Sequence, residues 1–152
     1  MSRGFTYIEM VVTAAILMIL ASAVLPAIRV THRRSQEIEL RAALRTLRTA
    51  IDRYHIAAAT GLIGGTDVQL GSEGYPKDLD QLVKGVTQVG KSDRKIKFLR
   101  QIPRDPFTGS AEWAQKCYQD EVDSTSWCGA NVWDIHSKSK GKALDGTYYK
   151  DW

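Results

Sequence analysis

Few side chains in this sequence stand where they could do chemistry, and the most conspicuous is a lone carboxylate. Glu9 sits at the start of an apolar stretch: Met10 to Ile28 holds no charged residue, and Phe5 to Ile8 extends the run on the other side. An ionised carboxylate inside a membrane helix costs about 2.5–3.5 kcal/mol on insertion scales, so such a group ordinarily has a partner or a task. The second candidate is the pair Cys117 and Cys128. Without a further pair a Cys-only zinc site cannot be completed, so one disulfide and an oxidising compartment are expected. A reactive thiol pair is the rival, but nothing like C-x-x-C is present. His32, His55 and His136 lack H-E-x-x-H or comparable spacing, and no phosphate-cradling glycine motif occurs. An enzyme is therefore not expected, and His55, beside an apolar stripe, reads as packing.

The elements that must position these residues follow from length and pattern. The 152 residues suit one compact domain plus one extended element. The net charge of +4 comes from 21 basic and 17 acidic residues that are interspersed, so charge alone does not argue for a nucleic-acid partner. The apolar run is long enough to cross a ~30 Å hydrocarbon core as a helix. Three plainer readings compete: a secretory signal peptide with Ala21-Ser22-Ala23 as its cleavage site, a simple single-span anchor, and a Glu9 that merely snorkels to the interface. Pro26 lacks an N–H and clashes with the preceding turn, so a kink is expected there.

Beyond Arg29, His32, Arg33 and Arg34 the helical pattern resumes. Leu40, Leu44, Leu47, Ile51, Tyr54 and Ala58 recur at steps of four and three, an amphipathic stripe expected to pack on the chain's own globular part. Arg41, Arg45 and Arg48 fall on another face, read as solvated, with Glu37 four residues before Arg41. Gly61, Gly64 and Gly65 end the pattern. A helix from Phe5 to Thr60 would be about 80 Å long at ~1.5 Å per residue. The remainder predicts a short helix after Pro76 through Leu79, Leu82 and Val83, and a polar loop over 91–97. Short antiparallel strands are expected in 112–118 and 130–136, with a small core built from the four tryptophans, Trp113, Trp127, Trp133 and Trp152. The fold class is thus α+β, a long N-terminal helix packed on a small C-terminal antiparallel sheet.

The string Gly4-Phe5-Thr6-Tyr7-Ile8-Glu9, preceded by a basic residue and followed by an apolar helix, resembles the prepilin peptidase signal of the type IV pilin-like superfamily. The resemblance implies cleavage after Gly4 and N-methylation of Phe5. It divides the chain into a leader (1–4), a transmembrane helix and filament core (5–28), an amphipathic continuation (29–60) and a periplasmic head (61–152). It also implies a pairing of Glu9 with the Phe5 amine of a neighbouring subunit. Tyr75-Pro76, Ile102-Pro103-x-Asp105-Pro106 and Val132-Trp133-Asp134-Ile135-His136-Ser137 look like the G-type major pseudopilin of type II secretion systems.

That subgroup implies an inner-membrane, single-pass protein with its head in the periplasm, polymerising into a short periplasmic fibre that drives protein export across the outer membrane. Implied partners are further copies of the chain, minor pseudopilins, the prepilin peptidase, an inner-membrane platform with a cytoplasmic ATPase, and membrane lipid. The alternative is a type IV or competence pilin for adhesion, motility or DNA uptake, in which Arg41, Arg45, Arg48 and the tail lysines would meet nucleic acid. G-type pseudopilins also commonly bind Ca2+ in a loop near the end of the chain, which here makes Asp145 and Ser137 the candidate ligands. Three lysines, Lys138, Lys140 and Lys142, beside one aspartate suit poorly a cation that takes about six to eight oxygens. Pairs of lysine with Asp145 or Asp134, together with the disulfide, are the alternative means of ordering that loop.

Overall fold

A computed structural model describes residues 4–121, 124 and 126–152, with the side chains of 23–27, 66 and 92–93 outside the description. The chain is α+β. A 53-residue helix, α1 (Tyr7–Ala59), is followed by a 3-10 turn at Gly65–Asp67 and a short helix α2 (Leu79–Lys84). Four short strands come next, β1 (Val86–Gln88), β2 (Lys91–Ile96), β3 (Ala114–Lys116) and β4 (Asp134–His136), and a last 3-10 turn at Tyr149–Asp151. The chain divides into two compact units, Met1–Gln36 and Glu37–Trp152.

Among the described residues no helix is long and apolar enough to cross a membrane. This corrects the expected single span over 5–28 and the inner-membrane placement that rested on it. The charge-free run 10–28 rises about 28 Å at ~1.5 Å per residue, just under a ~30 Å hydrocarbon core. The leader over 1–4 lies outside the described residues except for Gly4. The kink expected at Pro26 also falls outside the described side chains, and the helical assignment continues through that position.

In the second unit the stripe read from the sequence is the spine of the core. Leu40, Leu47, Ile51 and Tyr54 are fully buried, as are Leu82, Val132 and Ile135 from the segments packed on them. Burying a Leu, Ile or Val side chain contributes about 1.5–3 kcal/mol, so this stripe holds the elements of the unit on α1. The tryptophan core is corrected in part: Trp113 is buried and Trp152 packs partly buried against the core, while Trp127 and Trp133 stay 41% and 44% exposed. Aliphatic side chains of α1, together with Tyr54 and Tyr149, fill the space instead.

α2 starts where Asp78 accepts a hydrogen bond from the Gln81 amide at 2.8 Å, an N-cap that satisfies one of the helix's free donors. Gly85 ends it at φ 81°, and a Cβ there would stand 2.8 Å from the Ile96 carbonyl, so the close passage of β2 requires glycine. The segment expected to be a loop is β2. Lys91–Ile96 pairs antiparallel with β1, Val86 opposite Ile96 and Thr87 opposite Lys95, with an irregularity before Gln88. Its polar sequence hides the strand because its core contact comes through Ile96, next to buried Val86. The other expected strands form as β3 and β4, antiparallel with Ala114 opposite His136 and Lys116 opposite Asp134. They make a second two-stranded sheet, separate from the first.

Candidate functional site

The first unit carries the motif residues. Gly4 and Phe5 precede α1, and Glu9 lies in its first turn, where the helix dipole is favourable to a negative charge. Phe5 is 73% exposed and Tyr7 86%, and Ile8, Val11, Val12, Leu17, Ile19 and Leu20 are exposed as well. Contiguous apolar surface of this kind marks an interaction site.

The second unit contains a charged clamp between α1 and the segment 134–152. Arg48 was read as solvated, yet it is half-buried: its Nε donates to Asp134 Oδ1 at 2.7 Å and its Nη2 to Asp134 Oδ2 at 3.3 Å. The same Nη2 lies 3.1 Å from the Ile135 carbonyl oxygen and 3.0 Å from the main-chain oxygen of Trp152. A planar fork reaching four oxygens is a task for arginine that lysine's point charge does not match. About two turns earlier on α1, Arg41 covers the Trp152 ring, 4.2 Å from its centroid, and faces Asp145 Oδ2 at 3.6 Å. Glu37 completes the clamp, its Oε1 accepting from the Leu144 amide at 2.8 Å and the Tyr149 hydroxyl at 3.0 Å.

These contacts correct the expected lysine pairs. Asp134 and Asp145 face arginines of α1, while Lys138 pairs with Glu112 at 3.0 Å and Lys142 lies over the Tyr148 ring. An open groove of about 580 Å3 on this face is lined by Arg41, Arg45, Arg48, Thr49, Asp52 and Trp152.

Of the proposed calcium ligands, Asp145 accepts at one oxygen from both the Thr147 hydroxyl, 2.6 Å, and the Thr147 amide, 2.9 Å. Those bonds, with Arg41 adding to them, hold its carboxyl below the ordinary range. Ser137 is fully buried; its hydroxyl donates to Asp105 Oδ2 at 2.6 Å and accepts from the Ser139 amide at 3.0 Å. Asp105, also buried, receives the Phe107 amide at its other oxygen. Ser137 and Asp145 are thus engaged with different partners rather than converging on one point. Among the described residues, the group of metal-type ligands is Cys117, Asp120 and Cys128. Its two sulfurs are joined in the expected disulfide, with Cα atoms 5.9 Å apart, so neither can supply a thiolate.

His55 packs as expected, stacked on Tyr75 with ring centroids 4.3 Å apart. His136 lies partly buried on β4, and burial, with Lys116 adding to it, lowers its pKa. The sequence reading missed Asp105 as a buried anchor and Glu37 as a clamp residue. The Pro-x-Asp-Pro spacing was the available signal for the first, but Glu37's partners lie more than one hundred residues away, beyond any local pattern. No family model, curated protein or solved structure matches this chain.

Proposed function

We propose that this chain is a filament subunit of the type IV pilin-like class with a pilin fold, and that it serves as a pseudopilus subunit of a type II secretion system, driving export across the outer membrane. The observation that carries the reading is the exposed apolar surface of α1 directly after Gly4-Phe5 and around Glu9. Packing of that surface against further copies removes it from water, and each buried CH2 contributes about 0.8 kcal/mol. Glu9, carried into the assembled apolar core, needs a cation, and the Phe5 amine created by cleavage after Gly4 supplies one. A buried polar pair of this kind fixes register, which is what a helical polymer requires.

Minor pseudopilins, the prepilin peptidase and an ATPase-driven platform are the partners this reading carries. The nucleic-acid alternative draws less support, because Arg48 and Arg41 already engage Asp134 and Asp145. Intact mass of the natively expressed protein tests the first step: loss of residues 1–4 and gain of one methyl on Phe5 is expected. Electron microscopy of Glu9→Gln cells then tests the second. Filaments at wild-type yield would remove the role given to Glu9, and cleavage after Ala23 would end the filament reading altogether.

A further inference from the structure

We propose that the segment 134–152 is closed onto α1 by the helix's own charged side chains in the place of a metal ion, so that this head takes up no structural calcium. The inference goes beyond the filament reading and stands or falls independently of it.

Calcium needs about six to eight oxygens free to converge. Several oxygens of this loop are already engaged. The Gly141 carbonyl accepts from the Tyr149 amide at 3.1 Å, Ala143 from Gly146 at 3.0 Å, and Thr147 from Ala143 at 2.7 Å. These bonds, with the Lys142–Tyr148 bridge, fold the loop into a closed hairpin around Gly146, whose φ is 89°. Asp145 is occupied at one oxygen by Thr147 and faces Arg41 with the other. Ser137 is turned into the interior toward Asp105. A dication at Asp145 would have to displace a guanidinium and would meet the like charge of Arg41 at close range. The donor set therefore does not fit calcium.

The work a metal would do, tying loop oxygens to one point, falls to three side chains of α1. Arg48 gathers the Asp134 carboxylate, the Ile135 carbonyl and the main-chain oxygen of Trp152. Arg41 supports the Trp152 ring and neutralises Asp145. Glu37 holds the far side of the loop through the Leu144 amide and the Tyr149 hydroxyl. Both signs are needed, because the loop presents acceptors on one side and donors on the other. Arginine suits the first role, since its charge persists over the whole working pH range and its fork reaches several oxygens at once.

The test is thermal unfolding of the full chain in calcium chloride and in EGTA, beside the variants Arg48→Met and Asp145→Asn. A ligand that binds only the folded state must raise its midpoint. Coincident wild-type midpoints in the two buffers are expected, with a fall of about 5 °C or more for Arg48→Met in both. A calcium-dependent rise that Asp145→Asn abolishes would overturn the proposal, and so would an Arg48→Met midpoint equal to wild type. The wild-type comparison decides the calcium question even if Arg48→Met fails to fold.

Discussion

Two stretches of one helix make the most instructive comparison in this molecule. Residues 7–22 and 40–54 share the same secondary structure and are both rich in Leu, Ile, Val and Ala. In the second stretch the apolar side chains line up on one stripe and vanish into the core: Leu40, Leu47, Ile51 and Tyr54 have no exposed surface. In the first, apolar residues surround the helix and remain open, Leu17 65% exposed and Ile19 69%. An amphipathic helix can satisfy its apolar face within its own chain, whereas one apolar all round needs surroundings on every side. The two stretches therefore differ in what the chain alone can satisfy: one stabilises the fold, and the other leaves its apolar surface open.

The contrast is broken most directly by removing equal side chains from each stretch. Leu47→Ala is expected to cost about 2–5 kcal/mol in denaturant unfolding, because it leaves a cavity in the core. Leu17→Ala should change the same measurement by less than about 0.5 kcal/mol while lowering filament yield, as expected for an exposed position. Equal costs at the two sites would mean that the first stretch is buried in the chain as it folds. Next in size is the disulfide: Cys117→Ser with Cys128→Ser should cost about 3 kcal/mol by the chain-entropy account of a short closed loop, without touching the clamp on α1.

Smaller effects sharpen the picture of the second unit. Asp78→Ala removes the cap of α2 and should cost about 1 kcal/mol in the same unfolding assay. His136 gives a pH signature whose sign follows from its lowered pKa. Between that value and the ordinary histidine value of about 6.5, the unfolded chain binds the proton better than the folded one. The stability tied to neutral His136 is therefore complete above about pH 6.5 and declines as pH falls below it. Unfolding midpoints measured from pH 8 to pH 5 should show that decline, and His136→Gln should flatten it. A wild-type curve that rises on acidification would contradict the burial assigned to this ring.

How legible all this was in the sequence depended on the range of the interaction. The stripe from Leu40 to Ala58, the end of α1 before Gly61, α2 after Pro76 and the antiparallel pair near 114–116 and 134–136 follow from local periodicity and turn chemistry. The strand at Lys91–Ile96 was not legible, because its polar residues show little of the alternation that marks a half-buried strand. The tryptophans misled for a related reason. Composition says that large apolar groups seek burial, but Trp133 meets its neighbours edge-on beside Tyr118 at the surface rather than in the core.

The sequence by itself determined the helix, its two-part character and the motif around Gly4, Phe5 and Glu9, since all of these are spacings along one chain. It also supplied the disulfide, because two cysteines admit one intramolecular pairing. Only the tertiary structure decided the fate of the charges. Arg48 and Arg41 looked like members of a solvated basic face, and Glu37 like the first half of a helix-surface pair. Each instead meets atoms 86 to 112 positions away, as Arg48 does at Asp134 and Glu37 at Tyr149. A charge carries no periodic signature of its partner, because a Coulomb contact depends on distance in space and not on separation along the chain.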